Sequence, residues 1–203
     1  STDAVTITQD ITPPTANAGI DAILNCSTTI VTIGTVAIAG TTYTWSPTNG
    51  LSNPNIAQPT ASQAGTFTVT ATNTTNGCTA TDAVMITQNI TPPTANAGTD
   101  KNLNCTTTSV QIGTTAVAGI TYTWSPTNGL SNPNIAQPTA SQAGTFTVTA
   151  TNTTNGCTAT DVVTINQNIT PPTANAGTDK ILTCTTTSVQ IGTTAVAGIT
   201  YTW

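Results

Sequence analysis

Thr66-Phe67-Thr68-Val69-Thr70-Ala71-Thr72 alternates without a break, which puts Phe67, Val69 and Ala71 on one face and four threonines on the other. The pattern predicts a half-buried β-strand. Thr42-Tyr43-Thr44-Trp45 alternates likewise, with Tyr43 and Trp45 facing inward together. Asn49-Gly50 and Asn76-Gly77 are turn dipeptides, and Pro59 confines any strand around Ile56–Ala61 to a sheet edge.

These strands recur. Ile-Thr-Pro-Pro-Thr-Ala-Asn-Ala-Gly begins at Ile11, Ile90 and Ile169, a spacing of 79 residues, and the same offset relates Trp45, Trp124 and Trp203. Residues 11–89 and 90–168 differ at 12 positions, while Thr42–Asp82 is identical to Thr121–Asp161. The differences mark the solvated face: Ile30 and Thr32 become Ser109 and Gln111, whereas Val31 and Ile33 return as Val110 and Ile112. Met85 becomes Thr164 between an unchanged valine and isoleucine, which predicts a last strand near Thr79–Thr87. Residues 1–10 correspond to 80–89. The expected organisation is therefore the end of a preceding repeat (1–10), two whole repeats (11–89 and 90–168) and the first part of a further one (169–203), a window on a longer array.

Several short strands with turn signals and no helical periodicity, in a 79-residue unit, predict an all-β architecture of small two-sheet antiparallel sandwiches. Pro13-Pro14, Pro92-Pro93 and Pro171-Pro172 fall between the last strand of one unit and the first of the next, so the link is short and stiff. An extended rod growing by about 40 Å per unit is expected, since a strand of ten residues spans about 33 Å.

Composition narrows the function. Of 203 residues, 55 are Thr, and Leu, Ile, Val and Phe together make only 37; charged residues are 4% and the net charge is −5. There is no His, Arg or Glu, which removes the usual neutral-pH base, the usual anion clamp and the usual zinc ligand. An enzyme is not expected, nor a cofactor. Two lysines cannot hold a phosphate backbone or an anionic membrane, so no nucleic-acid partner is expected. No stretch of 18 apolar residues exists to span a bilayer, and Ser1–Asp10 lacks a signal-peptide pattern.

Ala16-Asn17-Ala18-Gly19-x-Asp21, Tyr43-Thr44-Trp45-Ser46-Pro47, Asn49-Gly50-Leu51-Ser52-Asn53-Pro54 and Asn76-Gly77-Cys78-Thr79-Ala80-Thr81-Asp82 carry a resemblance. They are similar to the PKD-type, immunoglobulin-like repeats of large surface proteins of gliding bacteria. That resemblance covers every unit. It implies tandem immunoglobulin-like sandwiches in a protein exported by the type IX secretion system, extracellular at the cell surface, with an adhesin-type role. The repeat pattern makes neighbouring repeats of the same chain the expected partners, and so little charge on the rods adds laterally associated copies.

Two cysteines per unit, at Cys26, Cys78, Cys105, Cys157 and Cys184 through the chain, read as structural disulfides in an oxidising compartment. An antibody-like pattern would close Cys26–Cys78 and Cys105–Cys157 within each unit. In an immunoglobulin-like topology, however, the turn carrying Cys26 and the hairpin carrying Cys78 lie at opposite ends of the sandwich, about 30 Å apart, against the 7 Å or so that a disulfide tolerates. This reach favours a staggered bond, Cys26 to Cys157, with Cys78, Cys105 and Cys184 pairing to cysteines of repeats beyond this stretch, and the within-unit pairing as the alternative.

Tyr43, Trp45, Phe67, Tyr122, Trp124 and Phe146 are expected as core aromatics, with a sugar-stacking surface as the competing use of the Trp–Tyr pair. Asp21 and Asp82 offer two carboxylates per unit, few for a calcium ion that takes 6–8 oxygens, and suit turn or backbone hydrogen bonding better. Asp82 shares the inward parity of Val84 and Ile86. The threonine rows suit a strand surface, and a flat Thr face gives the alternative function, a repetitive module binding glycan or ice. The first expectation is a disulfide-stabilised stalk or filament.

Overall fold

The computed structural model describes residues 1–203. Twelve strands form, six per unit. In the first unit they are β1 (Ala22–Asn25), β2 (Val31–Thr32), β3 (Thr41–Ser46), β4 (Thr60–Ala61), β5 (Gly65–Asn73) and β6 (Thr79–Asn89). The second unit repeats them as β7 (Lys101–Asn104), β8 (Val110–Gln111), β9 (Ile120–Ser125), β10 (Thr139–Ala140), β11 (Gly144–Asn152) and β12 (Thr158–Asn168). Residues 169–203 form no strand.

Each unit is an immunoglobulin-like β-sandwich: a four-stranded sheet in the order β1-β6-β5-β3 faces the small pair β2-β4, and the second unit copies both. The alternating run of β5 sits at the centre, antiparallel to β3 and β6. Its inward residues Phe67, Val69 and Ala71 are all buried. Nine buried residues make the core of the first unit: Ala18, Leu24, Ile33, Trp45, Ala61, Phe67, Val69, Val84 and Ile86. Their counterparts make the second. With about 1.5–3 kcal/mol from each large apolar side chain fully buried, so small a core leaves much to hydrogen bonds and covalent links.

Two features depart from the expected sandwich. One edge is parallel: β1 runs alongside β6 in the same direction, with Asn25 opposite Asn89. The chain enters each unit at the end where β6 begins, so its first strand must travel the way β6 travels. The second strand is also shorter than its alternation suggests, two residues only, because Ile33 turns into Gly34. Gly34 has φ +78° and its N–H donates to Ala18 O (2.7 Å). A Cβ there would strike the Ala57 carbonyl and the Trp45 ring, so only glycine lets these segments close over the indole.

Asp21 and Asp82 lace the entering segment to β6. The Ala18 N–H donates to Asp82 Oδ2 and the Met85 N–H to Asp21 Oδ1, each at 2.8 Å, and the second unit repeats both bonds. Asp82 is exposed despite its inward parity, because its carboxylate swings to the unpaired amide at the unit's edge.

Candidate functional site

The junction between the two units is the most elaborately built place in the chain, and it starts from two turns. After β1, Asn25 Oδ1 accepts the N–H groups of Ser27 (2.9 Å) and Thr28 (2.7 Å), an Asx turn that presents Cys26 at its tip. In the β11–β12 hairpin, Gly156 N–H donates to Asn152 O (2.8 Å) and Cys157 N–H to Asn155 Oδ1 (3.0 Å). The parallel course of β1 delivers the first turn to the far end of unit one. The hairpin stands at the near end of unit two. They meet.

Cys26 and Cys157 are joined by a disulfide, with Cα atoms 5.0 Å apart and 131 residues between them in sequence. Beside it the Cys26 N–H donates to Asn155 O (3.0 Å). Asn155 is only 2% exposed, and its Nδ2 donates to Asn89 Oδ1 and to Thr91 O, both at 3.0 Å. One side chain thus ties the hairpin to the end of β6 and to the start of the Pro-Pro link, while its own backbone holds the cysteine turn. Gly156 has φ +69°, and a Cβ there would run into the Ser27 side chain. The contact surface is therefore closed to any larger residue at that point.

The within-unit bond Cys26–Cys78 does not form, and the register gives the reason. Asn25 lies opposite Asn89 on β6, and Cys78 precedes Asn89 by eleven residues, which is about 36 Å along a strand. Cys105–Cys157 fails on the same geometry in the second unit. Cys78 is half-buried, and Cys105 and Cys184 are exposed; none of the three is paired within residues 1–203. Cys105 sits in the same Asx turn as Cys26, with Asn104 Oδ1 accepting from Thr106 and Thr107. Asn76 copies Asn155 in part, its Nδ2 donating to Thr12 O (3.0 Å). Asp10 occupies the place that Asn89 has one unit later; the Thr12 N–H, then the Thr12 hydroxyl and Asn76, hold its carboxyl below the usual aspartate range.

The aromatics take two positions. Trp45, Trp124, Phe67 and Phe146 are buried, and each indole N–H donates to a backbone carbonyl, Trp45 to Ile56 O and Trp124 to Ile135 O at 2.9 Å. Tyr43 and Tyr122 are half-buried against those cores rather than within them. Their hydroxyls accept the N–H groups of Ile38 (2.9 Å) and Val117 (3.1 Å), so each ring pins a loop. Outward, β3, β5 and β6 align Thr42 with Thr72 and Thr79, and Thr44 with Thr70 and Thr81. That lattice repeats about every 4.8 Å across strands and 6.8 Å along them.

Asn155 is the residue that sequence reading passes over. Asn155-Gly156 reads as a turn and no more; the one signal of a second duty is that the hairpin must face the preceding Pro-Pro link.

Protein-family models give no match to the chain, and neither do curated proteins. Among solved structures it is similar to a titin I-band fragment, I67–I69, at 14% identity over 79% of this chain and 67% of that one, with a TM-score of 0.40. It is also similar to three N-terminal domains of the bacteriophage RB49 outer capsid protein Hoc, at 18% identity over 72% and 56%, TM-score 0.37. Sidekick-1 immunoglobulin domains 1–5 give 14% identity over 78% and 41%, TM-score 0.32. No helix of the structure is long and apolar enough to cross a membrane.

Proposed function

We propose that this chain is a structural stretch, stalk or filament, of a secreted bacterial cell-surface protein, built from 79-residue immunoglobulin-like repeats at 11–89 and 90–168, with 1–10 and 169–203 belonging to flanking repeats. The single observation that carries the reading is the junction: a disulfide, a buried asparagine and a short Pro-Pro link fix one unit on the next. Such fixing serves a protein that must hold its ends apart. The disulfide also suits an oxidising, extracellular setting. The resemblance to PKD-type repeats of gliding bacteria supports an adhesin-type surface protein exported by the type IX system. With 4% charged residues, little repulsion opposes lateral association of copies. Electron microscopy of the native assembly tests the reading: filaments with a longitudinal repeat of about 40 Å per unit are expected, and compact particles would sink it.

A second reading is favoured by the threonine lattice of β3, β5 and β6: a repetitive module binding glycan or ice. Thermal hysteresis or glycan binding by the chain, lost on replacing Thr68 and Thr70 by Ala, would support it. Binding that survives the replacement would count against that face.

A further inference from the structure

The Cys26–Cys157 bond does more than tie two units together, because of where it lies on the path between the chain's ends. We infer that it takes the folded units out of the line of tension. A pull applied at Ser1 and Trp203 runs through residues 1–26, crosses the disulfide, and leaves through residues 157–203. Residues 27–156, which hold β2 to β11, carry none of it. Within the two units, what remains in the path is already drawn out; residues 169–203, which form no strand, lie outside them. In unit one it is the entering segment and β1; in unit two it is β12, which starts at Thr158 directly after the cysteine. Neither strand has much slack to yield, since a β-strand is within about a tenth of the longest reach a chain has.

The pairing pattern completes the device. Cys26 stands at the end of β1 and Cys78 at the start of β6, and these two strands are the parallel neighbours of the sheet. In any longer run of such units the same relation, repeated with the 79-residue period, would put both strands of that pair under tension in the same direction, each continued through its own disulfide. Two covalent tracks would then run side by side, with the rest of each sandwich hung between them. Domains linked only end to end lengthen by unfolding. Domains linked in this way cannot do so while the bonds stand. This property belongs to the chain itself and does not depend on the stalk reading; only its biological use does, so microscopy of the assembly and pulling of the chain can fail separately.

The test is single-molecule pulling of the whole chain between peptide-tag handles at its two ends, oxidised and then reduced. The oxidised chain is expected to show no unfolding step from either unit. After reduction, steps should appear that release in total roughly 430–470 Å, the extended length of the 131 residues freed. Cys26→Ser should behave like the reduced chain; should that variant fail to fold, the reduced wild-type chain serves the same comparison. Equal step lengths before and after reduction would overturn the proposal.

Discussion

Cys26 and Cys157 stand 5.0 Å apart between Cα atoms although a whole unit's length of sequence and more separates them. The bond therefore couples two cores that share no strand. In the chain-entropy description a closed loop of 131 residues stabilises by at most about 5 kcal/mol, and the gain falls to both units jointly. Calorimetry should show one coupled transition for the oxidised protein and two separate, lower ones after reduction. A profile indifferent to reductant would contradict the coupling.

Asn155 faces two acceptors, Asn89 Oδ1 and Thr91 O, from a position 2% exposed. Asn155→Asp replaces the donor with a carboxylate pointed at both, and should cost about 3 kcal/mol at neutral pH. Burial raises the new carboxyl's folded pKa, so the ionic part of the loss should be present above that value and disappear below the ordinary aspartate pKa of about 3.9, leaving one acceptor unpaired because a neutral carboxyl has a single O–H. Asn76→Asp, half-buried and facing Thr12 O and the exposed Asp10 carboxyl, should cost less than Asn155→Asp, because there both carboxylates keep contact with water. Denaturant titration of both variants across pH checks the contrast.

Gly156 and Gly77 occupy identical hairpins with nearly equal φ, +69° and +74°. Alanine at Gly77 meets nothing within 4 Å and should cost only the backbone strain, about 1 kcal/mol. At Gly156 it meets Ser27 across the junction as well. Gly156→Ala should be the more damaging by about 1–2 kcal/mol, and reduction should narrow the gap. Equal losses would mean that the junction is not closed in solution.

The Asp82 carboxylate serves one backbone N–H, and Asp21 another, rather than converging on a common point. Asp82→Ala should destabilise by about 1–2 kcal/mol, Asp82→Asn by less, since the amide oxygen can still accept. Added calcium should leave the melting temperature unchanged in the wild type. A calcium-dependent rise would require a different arrangement of the two carboxylates.

Asp10 is held below the usual aspartate range by Thr12 and then Asn76. Because the folded value is depressed, the stabilisation is present above the unfolded pKa of about 3.9 and is lost as the pH falls through the folded one. NMR titration should place the Asp10 midpoint below the ordinary aspartate value of about 3.9, and Asn76→Ala should move it upward.

Fold and core were largely legible because the repeat supplies its own comparison. Leu24, Ile33, Trp45, Phe67, Val69, Val84 and Ile86 recur unchanged 79 residues on, and all are buried; Ile20, Ile23, Ile30, Val36, Ile38 and Met85 change, and all are exposed. The parallel edge was not legible, since β1 has four residues and its alternation says nothing of direction. The staggered disulfide follows from topology, which places the two turns at opposite ends. Asn155 was hidden for a plainer reason: its duty is to a neighbouring unit, and local pattern reports only on the strand or turn that contains it. Tyr43 shares the parity of Trp45 but lies nearer the start of its strand, where the hydroxyl can reach a loop.

The register that sets Asn25 opposite Asn89 also has a bearing on how such a chain matures. While residues emerge in order, Cys26 meets Cys78 and Cys105 as possible partners long before Cys157 exists. A first unit that folds before its thiols oxidise removes Cys78 from reach, by about 36 Å, and keeps Cys26 waiting in its turn. The sandwich thus acts as its own proofreader, holding the earlier thiol in reserve until the correct one arrives. An export route that kept the thiols reduced until at least two units had folded would give the staggered bond, and premature oxidation would trap Cys26 on the wrong partner.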